Sequence, residues 1–180
     1  MTPSVLILAL GNPILGDEGV GPKALSRLAR EYRFPPSVEL VDGGTAGLSL
    51  VPAVSAATNV IVLDAVRTGQ PAGTVVELNG KKLPRHFFES LSPHQIGFRD
   101  VVSASRLMED DEPEKIVLIG VEPRAVELTT ELSEPVEEAI DGVLVAVLAQ
   151  LEAWGVEAER ADATAACPKA SPPSFGGTAR

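Results

Sequence analysis

The sequence predicts an α/β fold, a three-layer sandwich in which a mixed, mostly parallel five-stranded sheet carries helices on both faces. Three observations predict it. Short continuous runs of Val, Ile and Leu alternate with segments whose apolar residues recur at helical spacing. All but one of the links between successive apolar runs are long enough for a helical crossover. Aromatic residues make up only 4% of the chain, so Val, Leu and Ala must fill the core, which suits a sheet flanked by helices.

The elements follow in order. Val5–Leu10, bounded by Gly11-Asn-Pro, reads as a buried strand. Asp17 is placed to cap a helix, Pro22 fits a first turn, and Val20, Ala24, Leu25, Leu28 and Tyr32 recur at helical spacing until Pro35-Pro36 ends the run. Val38–Val41 is a second strand, followed by Asp42-Gly-Gly-Thr-Ala-Gly47 and a helix to about Ala57, with Pro52 as its weak point and Thr45 as a candidate cap. Val60–Leu63 is the third strand. About ten residues, with Gly69, Pro71 and Gly73 among them, join Leu63 to a fourth strand at Thr74–Leu78. That link is too short for a helical crossover, so these two strands are expected to be antiparallel neighbours or near-neighbours. A helix is expected from about Pro93 to Met108, then a fifth strand at Lys115–Gly120. In the last helix, Ser133–Trp154, the residues Val136, Ile140, Val143, Leu144, Val147 and Leu151 share one face.

One domain over residues 1–156 is the default for a chain of 180 residues. From Glu157 the pattern collapses into Ala-, Pro- and Gly-rich sequence, and residues 157–180 are expected to be a disordered tail. Cys167 is the only cysteine, which excludes an intrachain disulfide and fits a reducing compartment. The start Met1-Thr-Pro-Ser carries no basic leader, and no apolar run is long enough to span a membrane. A cytoplasmic monomer is therefore expected. The net charge of −10 argues against nucleic-acid binding, which calls for a basic face.

The candidate chemistry lies where strands give way to loops. In open α/β sheets ligands bind outside the carboxyl ends of the parallel strands, and Glu18, Asp42 and Asp64 all follow or end strands there. The loop Gly11–Gly21 lacks the Gly-Lys-Ser/Thr of a phosphate loop and the Gly-x-Gly-x-x-Gly of a dinucleotide site. Asp17 and Glu18 stand where a phosphate would sit, which repels an anion and suits a cation. Asp17 reads best as an acidic helix start; Glu18 reads equally as that or as a ligand. Asp64 ends a strand of Val, Ile and Leu, where an unpaired carboxylate is costly, so it either caps the next loop or binds something. Ser92-Pro-His-Gln95 has the pattern of a capping box, which places His94 in a first helical turn, where the helix dipole favours the neutral imidazole that binds metals; on local sequence it reads equally as a ligand or as a solvent-facing residue of a helix cap. His86 lacks that context. Two carboxylates and one imidazole can hold a divalent ion, such as a resident zinc, and leave positions open. Gly43 and Gly44 let a bound chain approach the backbone beside Asp42. Nucleophilic catalysis has little support: there is no Gly-x-Ser-x-Gly elbow, and the only cysteine is in the tail.

Taken together, Gly11-Asn-x4-Asp-Glu-Gly-x-Gly21, Asp42-Gly-Gly-Thr-x-Gly47, Leu63-Asp-Ala65 and Ser92-Pro-His-Gln-x-Gly97 resemble the maturation endopeptidases of nickel–iron hydrogenases, in order and approximate spacing. The resemblance runs from about Val5 to about Val156. It implies a five-stranded mixed sheet between helices and a specific activity. That activity is removal of a C-terminal peptide from the precursor of the hydrogenase large subunit after nickel insertion. It further implies that Glu18, Asp64 and His94 are the metal ligands and that the nickel arrives with the substrate. By the same resemblance Asp42, Gly43, Gly44 and Thr45 form a loop used in substrate binding or catalysis. Two mechanisms stay open: water attack on a metal-polarised carbonyl, with Asp42 available for acid–base work, or an acid pair of the aspartic-protease kind. Two other functions also stay open. One is a nickel-sensing chaperone that binds the same precursor without cutting it. The other is a nucleotide-binding domain, which Asp17-Glu18 contradicts.

Overall fold

The computed structural model describes residues 4–79 and 113–161. Seven strands and three α-helices are described there. They are β1 (Val5–Leu10), α1 (Val20–Glu31), β2 (Tyr32–Arg33), β3 (Val38–Gly44), α2 (Val51–Ala56), β4 (Asn59–Ala65), β5 (Val75–Asn79), β6 (Lys115–Val121), α3 (Glu134–Ala153) and β7 (Glu159–Arg160). Five of the strands form one sheet in the order β3-β1-β4-β6-β5. All its pairs are parallel except β5 with β6. The expected reversed strand is therefore present. It is a near-neighbour of β4 rather than its partner, because β6 lies between them.

The sheet separates two apolar layers. Side chains alternate along a strand, so Val5, Ile7 and Ala9 of β1 face one side, and Leu6 and Leu8 face the other. The first set packs with Ile61, Leu63, Ile119 and the apolar faces of α1 and α3; the second packs with Val60, Val62 and Leu118 against Leu50, Val51 and Val54 at α2. Burial on both faces explains why β1 and β4 read as unbroken apolar runs rather than alternating ones. Pro22 and Pro135 stand in the first turns of α1 and α3, where a missing N–H costs nothing. Arg27 of α1 pairs with Asp141 of α3 at 2.7 Å, an exposed contact of modest worth beside the core it borders.

Several local expectations are corrected. Asp17 does not cap α1: it sits in a 3-10 turn, Gly16–Gly19, and α1 starts only at Val20 with no side-chain cap. Thr45 is exposed and caps nothing; a second 3-10 turn, Gly47–Leu50, leads into α2. Pro52 does not weaken that helix but starts it, standing in its first turn. Tyr32 leaves the helix and forms β2, which pairs antiparallel with β7. Glu159 and Arg160 are thus held against the body, with the Ala161 N–H donating to the Glu31 carbonyl at 2.8 Å. The helix expected at 93–108, and with it His94, lies outside the described residues, as do His86 and Cys167. Among the described residues no helix is long and apolar enough to cross a membrane.

Candidate functional site

The strand order fixes where a site can form. From β1 the chain runs outward to β3, then crosses back to β4 on the other side of β1. Connections leaving β1 and β4 therefore diverge, and outside their carboxyl ends lies the switch point at which open α/β sheets bind ligands. Glu18, on the turn that follows β1, and Asp64, next to last in β4, both lie at that switch point.

Two glycines make this arrangement possible. Gly11 has φ +122°, and its N–H donates to the Gly44 carbonyl at 3.1 Å, which joins the loops after β1 and β3. A Cβ on Gly11 would strike the Glu18 carbonyl oxygen and come within 3.7 Å of Asp64 Oδ1. Gly21 lets the start of α1 rest directly on the Leu10 and Leu63 carbonyls, the ends of the two central strands.

Four carboxylates near this rim or the neighbouring loops are wholly or partly withdrawn from solvent, and they fall into two kinds. Asp17 is 1% exposed and accepts hydrogen bonds from the N–H groups of Arg124 (2.9 Å), Ala125 (3.1 Å) and Ser133 (2.7 Å), and from the Ser133 hydroxyl (2.9 Å). Burial works to raise its pKa, but these donors win and hold it below the ordinary value. Glu122 is 6% exposed and accepts from the Thr68 N–H (2.6 Å) and hydroxyl (2.7 Å) and from the Gln70 N–H (3.3 Å). Burial again opposes, and the hydrogen bonds again leave the pKa lowered. Both groups are satisfied structural anchors.

Glu18 and Asp64 are different. Glu18 is 6% exposed, and no described residue donates a hydrogen bond to its carboxylate. Burial raises its pKa, and only the charge of exposed Arg67 opposes that. Asp64 is partly buried and accepts one bond, from its neighbour's Ala65 N–H at 2.8 Å. Its pKa is pushed up to about 7, chiefly by burial, with the Ala65 hydrogen bond opposing and the charge of Glu18 adding. A pair of under-satisfied carboxylates that repel one another is a poor structural anchor and a good place for a cation or a shared proton.

Two carboxylates are the oxygen part of a donor set that can hold a divalent ion, and an imidazole could complete it. Among the described residues no group of three metal-type side chains is assembled. His94, whose imidazole the sequence nominates, lies outside them.

Asp42 is held apart from the pair. It stands opposite Ala9 in the β1–β3 register, on the face of α1 and α3, whereas alternation from Leu63 puts Asp64 on the other face. It is exposed, and its Oδ1 accepts the Gly44 N–H at 3.1 Å across a β-bulge. Gly43 is buried beneath Leu8, Leu10 and Leu50, whereas Gly44 is open towards Asp42 Oδ1 and the Gly11 carbonyl. The loop thus adjoins the switch point through Gly44.

Sequence reasoning missed the anchoring of Asp17, whose partners lie 107 to 116 residues away with no pattern linking them. It also missed Glu122, although a signal existed: like Asp64, it is an acid that follows a buried strand of Val, Ile and Leu.

The profile of one family, HycI, hydrogenase maturation protease, matches residues 22–150. The hydrogenase 2 maturation protease of Escherichia coli K12 is 38% identical over 155 residues, which span 86% of this chain and 94% of that protein. The hydrogenase expression/formation protein HupD of Rhodobacter capsulatus is 37% identical over 85% of this chain and 73% of its own length. Among solved structures, the hydrogenase maturating endopeptidase HybD of E. coli superposes with a TM-score of 0.81 at 37% identity, covering 87% of this chain and 96% of that one. A [NiFe] hydrogenase maturation protease, HycI, of Thermococcus kodakarensis gives a TM-score of 0.66 at 25% identity, covering 83% and 93% of the two chains. The mixed five-stranded sheet with flanking helices matches theirs.

Proposed function

We infer, from the premise that this chain belongs to the hydrogenase maturation protease family, that it is the endopeptidase for the large-subunit precursor of a nickel–iron hydrogenase. In this reading it removes the precursor's C-terminal peptide once nickel has been inserted. The observation that carries the reading is the contrast among buried acids: Asp17 and Glu122 are satisfied by protein donors, whereas Glu18 and Asp64 are left without enough of them beside the switch point.

Nickel enters here as part of the substrate. Glu18 and Asp64 offer it oxygens, and His94 offers a neutral nitrogen. A metal-loaded precursor thereby gains contacts at the site that an empty one lacks, so binding tests whether insertion has occurred. For the cut itself, the reading prefers water attack on a carbonyl polarised near the metal. A carboxylate that does not hold the metal, with Asp42 the candidate, would take a proton from that water and return it to the leaving amine. Gly43, Gly44 and Thr45, beside Asp42, form the loop that would take the incoming chain, with Gly44 and Thr45 its accessible part. An acid pair without metal participation would instead rest on Glu18 and Asp64 sharing a proton, and their mutual repulsion leaves that route available.

The deciding experiment incubates the protein with nickel-loaded and nickel-free precursor of the large subunit. Release of a C-terminal peptide from the loaded form alone is the expected result. Binding without release would make the protein a nickel-sensing chaperone, and release from both forms would remove nickel from the recognition step.

A further inference from the structure

We propose that Asp17 is the positioning residue for Glu18, riveting the loop after β1 to the loop before α3 so that Glu18 is held at Asp64. The inference rests on the functional reading above.

The geometry shows why this acid matters. The loop after β1 reaches Gly19 without a regular hydrogen-bonded ladder to hold it; apart from the Gly11–Gly44 bond at its start and its packing beside β4, its hydrogen bonds to other described segments go to the one that follows β6. Leu15 and Thr129 form an isolated parallel bridge: the Gly16 N–H donates to the Thr129 carbonyl at 2.7 Å, and the Thr129 N–H donates to the Ile14 carbonyl at 3.1 Å. Asp17 then gathers donors from both ends of the same segment, Arg124 and Ala125 at one end and Ser133 at the other. One carboxylate thus closes the segment 124–133 into a loop and ties that loop to residue 17. Charge-assisted bonds to a buried carboxylate are the strong kind. The next residue is Glu18, whose own carboxylate has no such donor among the described residues. Its direction is therefore set by the backbone on either side, and on one side that backbone is fixed by Asp17. On the other side Gly19 packs against Pro13, which closes the turn. An under-satisfied, buried acid beside a second acid would turn away if its backbone were free. Asp17 denies it that freedom.

The test compares Asp17→Asn with a core variant, Val143→Ala, chosen to lose stability without touching the rim. The kcat and KM for cleavage of nickel-loaded precursor are measured for each, corrected for the folded fraction. Asp17→Asn is expected to lose at least tenfold in kcat/KM, with KM raised because Glu18 no longer meets the nickel of the precursor, while Val143→Ala stays within twofold in both. A kcat/KM for Asp17→Asn that tracks Val143→Ala overturns the proposal. If Asp17→Asn does not fold, Ser133→Ala, which deletes only the hydroxyl donor, is read the same way with an expected loss of about threefold; an unchanged kcat/KM then overturns it. A crystal structure of the folded variant gives a second reading that does not need activity. Displacement of the Glu18 carboxylate from Asp64 supports the proposal, and an unmoved Glu18 overturns it even if the wild type cleaves no precursor.

Discussion

Glu18 and Asp64 meet across Gly11: a side chain there would run into the Glu18 carbonyl on one side and approach Asp64 Oδ1 to 3.7 Å on the other. The two acids are 46 residues apart in sequence, and the space between them exists because one residue has no Cβ. Their charges oppose each other, and burial adds to the cost of ionising either. Several measurable consequences follow from that relationship and from the acids around it.

Asp64→Asn should stabilise the metal-free protein at pH 8 and leave it nearly unchanged at pH 4. The folded pKa of Asp64, about 7, lies above its ordinary 3.8, so between these values the folded state keeps a proton that the unfolded state has lost. Stability contributed by this group is therefore full below the lower value and falls as pH rises towards the upper one. Three units at about 1.36 kcal/mol each set a ceiling of about 4 kcal/mol, and solvent access to a partly buried group reduces it. Thermal unfolding of both proteins at the two pH values checks this; an equal difference at both would count against it.

Glu122→Gln should have the opposite pH signature. The folded pKa of Glu122 is lowered, so its contribution is present above the ordinary 4.5 and disappears as pH falls through the folded value. Loss of the charge that binds Thr68 and Gln70 should cost about 1–3 kcal/mol at pH 7 and progressively less on acidification. Urea unfolding at pH 7 and pH 3.5 measures both values.

Gly21→Ala should destabilise the protein by about 1–3 kcal/mol or more, because the new methyl presses on two strand-end carbonyls that cannot move without disturbing β1 and β4. Gly11→Ala adds backbone strain at φ +122° to a clash with Glu18, so it should impair both folding and processing. A Gly11→Ala protein with wild-type melting temperature and wild-type processing would contradict the packing described here.

His94→Ala should abolish processing, because the proposed imidazole ligand is lost, and the melting temperature should stay within a few degrees of wild type. Glu18→Gln and Asp64→Asn should lower processing by at least about 100-fold, the scale of a lost acid–base or ligand group. Peptide release from loaded precursor, followed by mass spectrometry, reads all three. Normal processing by His94→Ala would remove it from the ligand set.

By itself the sequence determined the layers of this protein. Short unbroken apolar runs bounded by Gly, Asn and Pro read as strands buried on both faces, and helical spacing elsewhere supplies the layers that bury them. The short link after Leu63 announced a reversed strand for the same reason: a chain that cannot cross over must turn back. It also marked Asp64, because an acid at the end of an apolar run is costly unless something uses it, and it left Glu18 in the glycine-rich loop open between a helix start and a ligand. Tertiary structure alone decided which acids are spare. Asp17 and Glu18 are adjacent and chemically alike, yet one meets four donors brought from residues 124–133 and the other meets none among the described residues. That difference is set by long-range contacts, which leave no local period in the sequence. The same holds for β2 and β7, two-residue strands too short to carry a pattern, which recognise each other only after the body has folded.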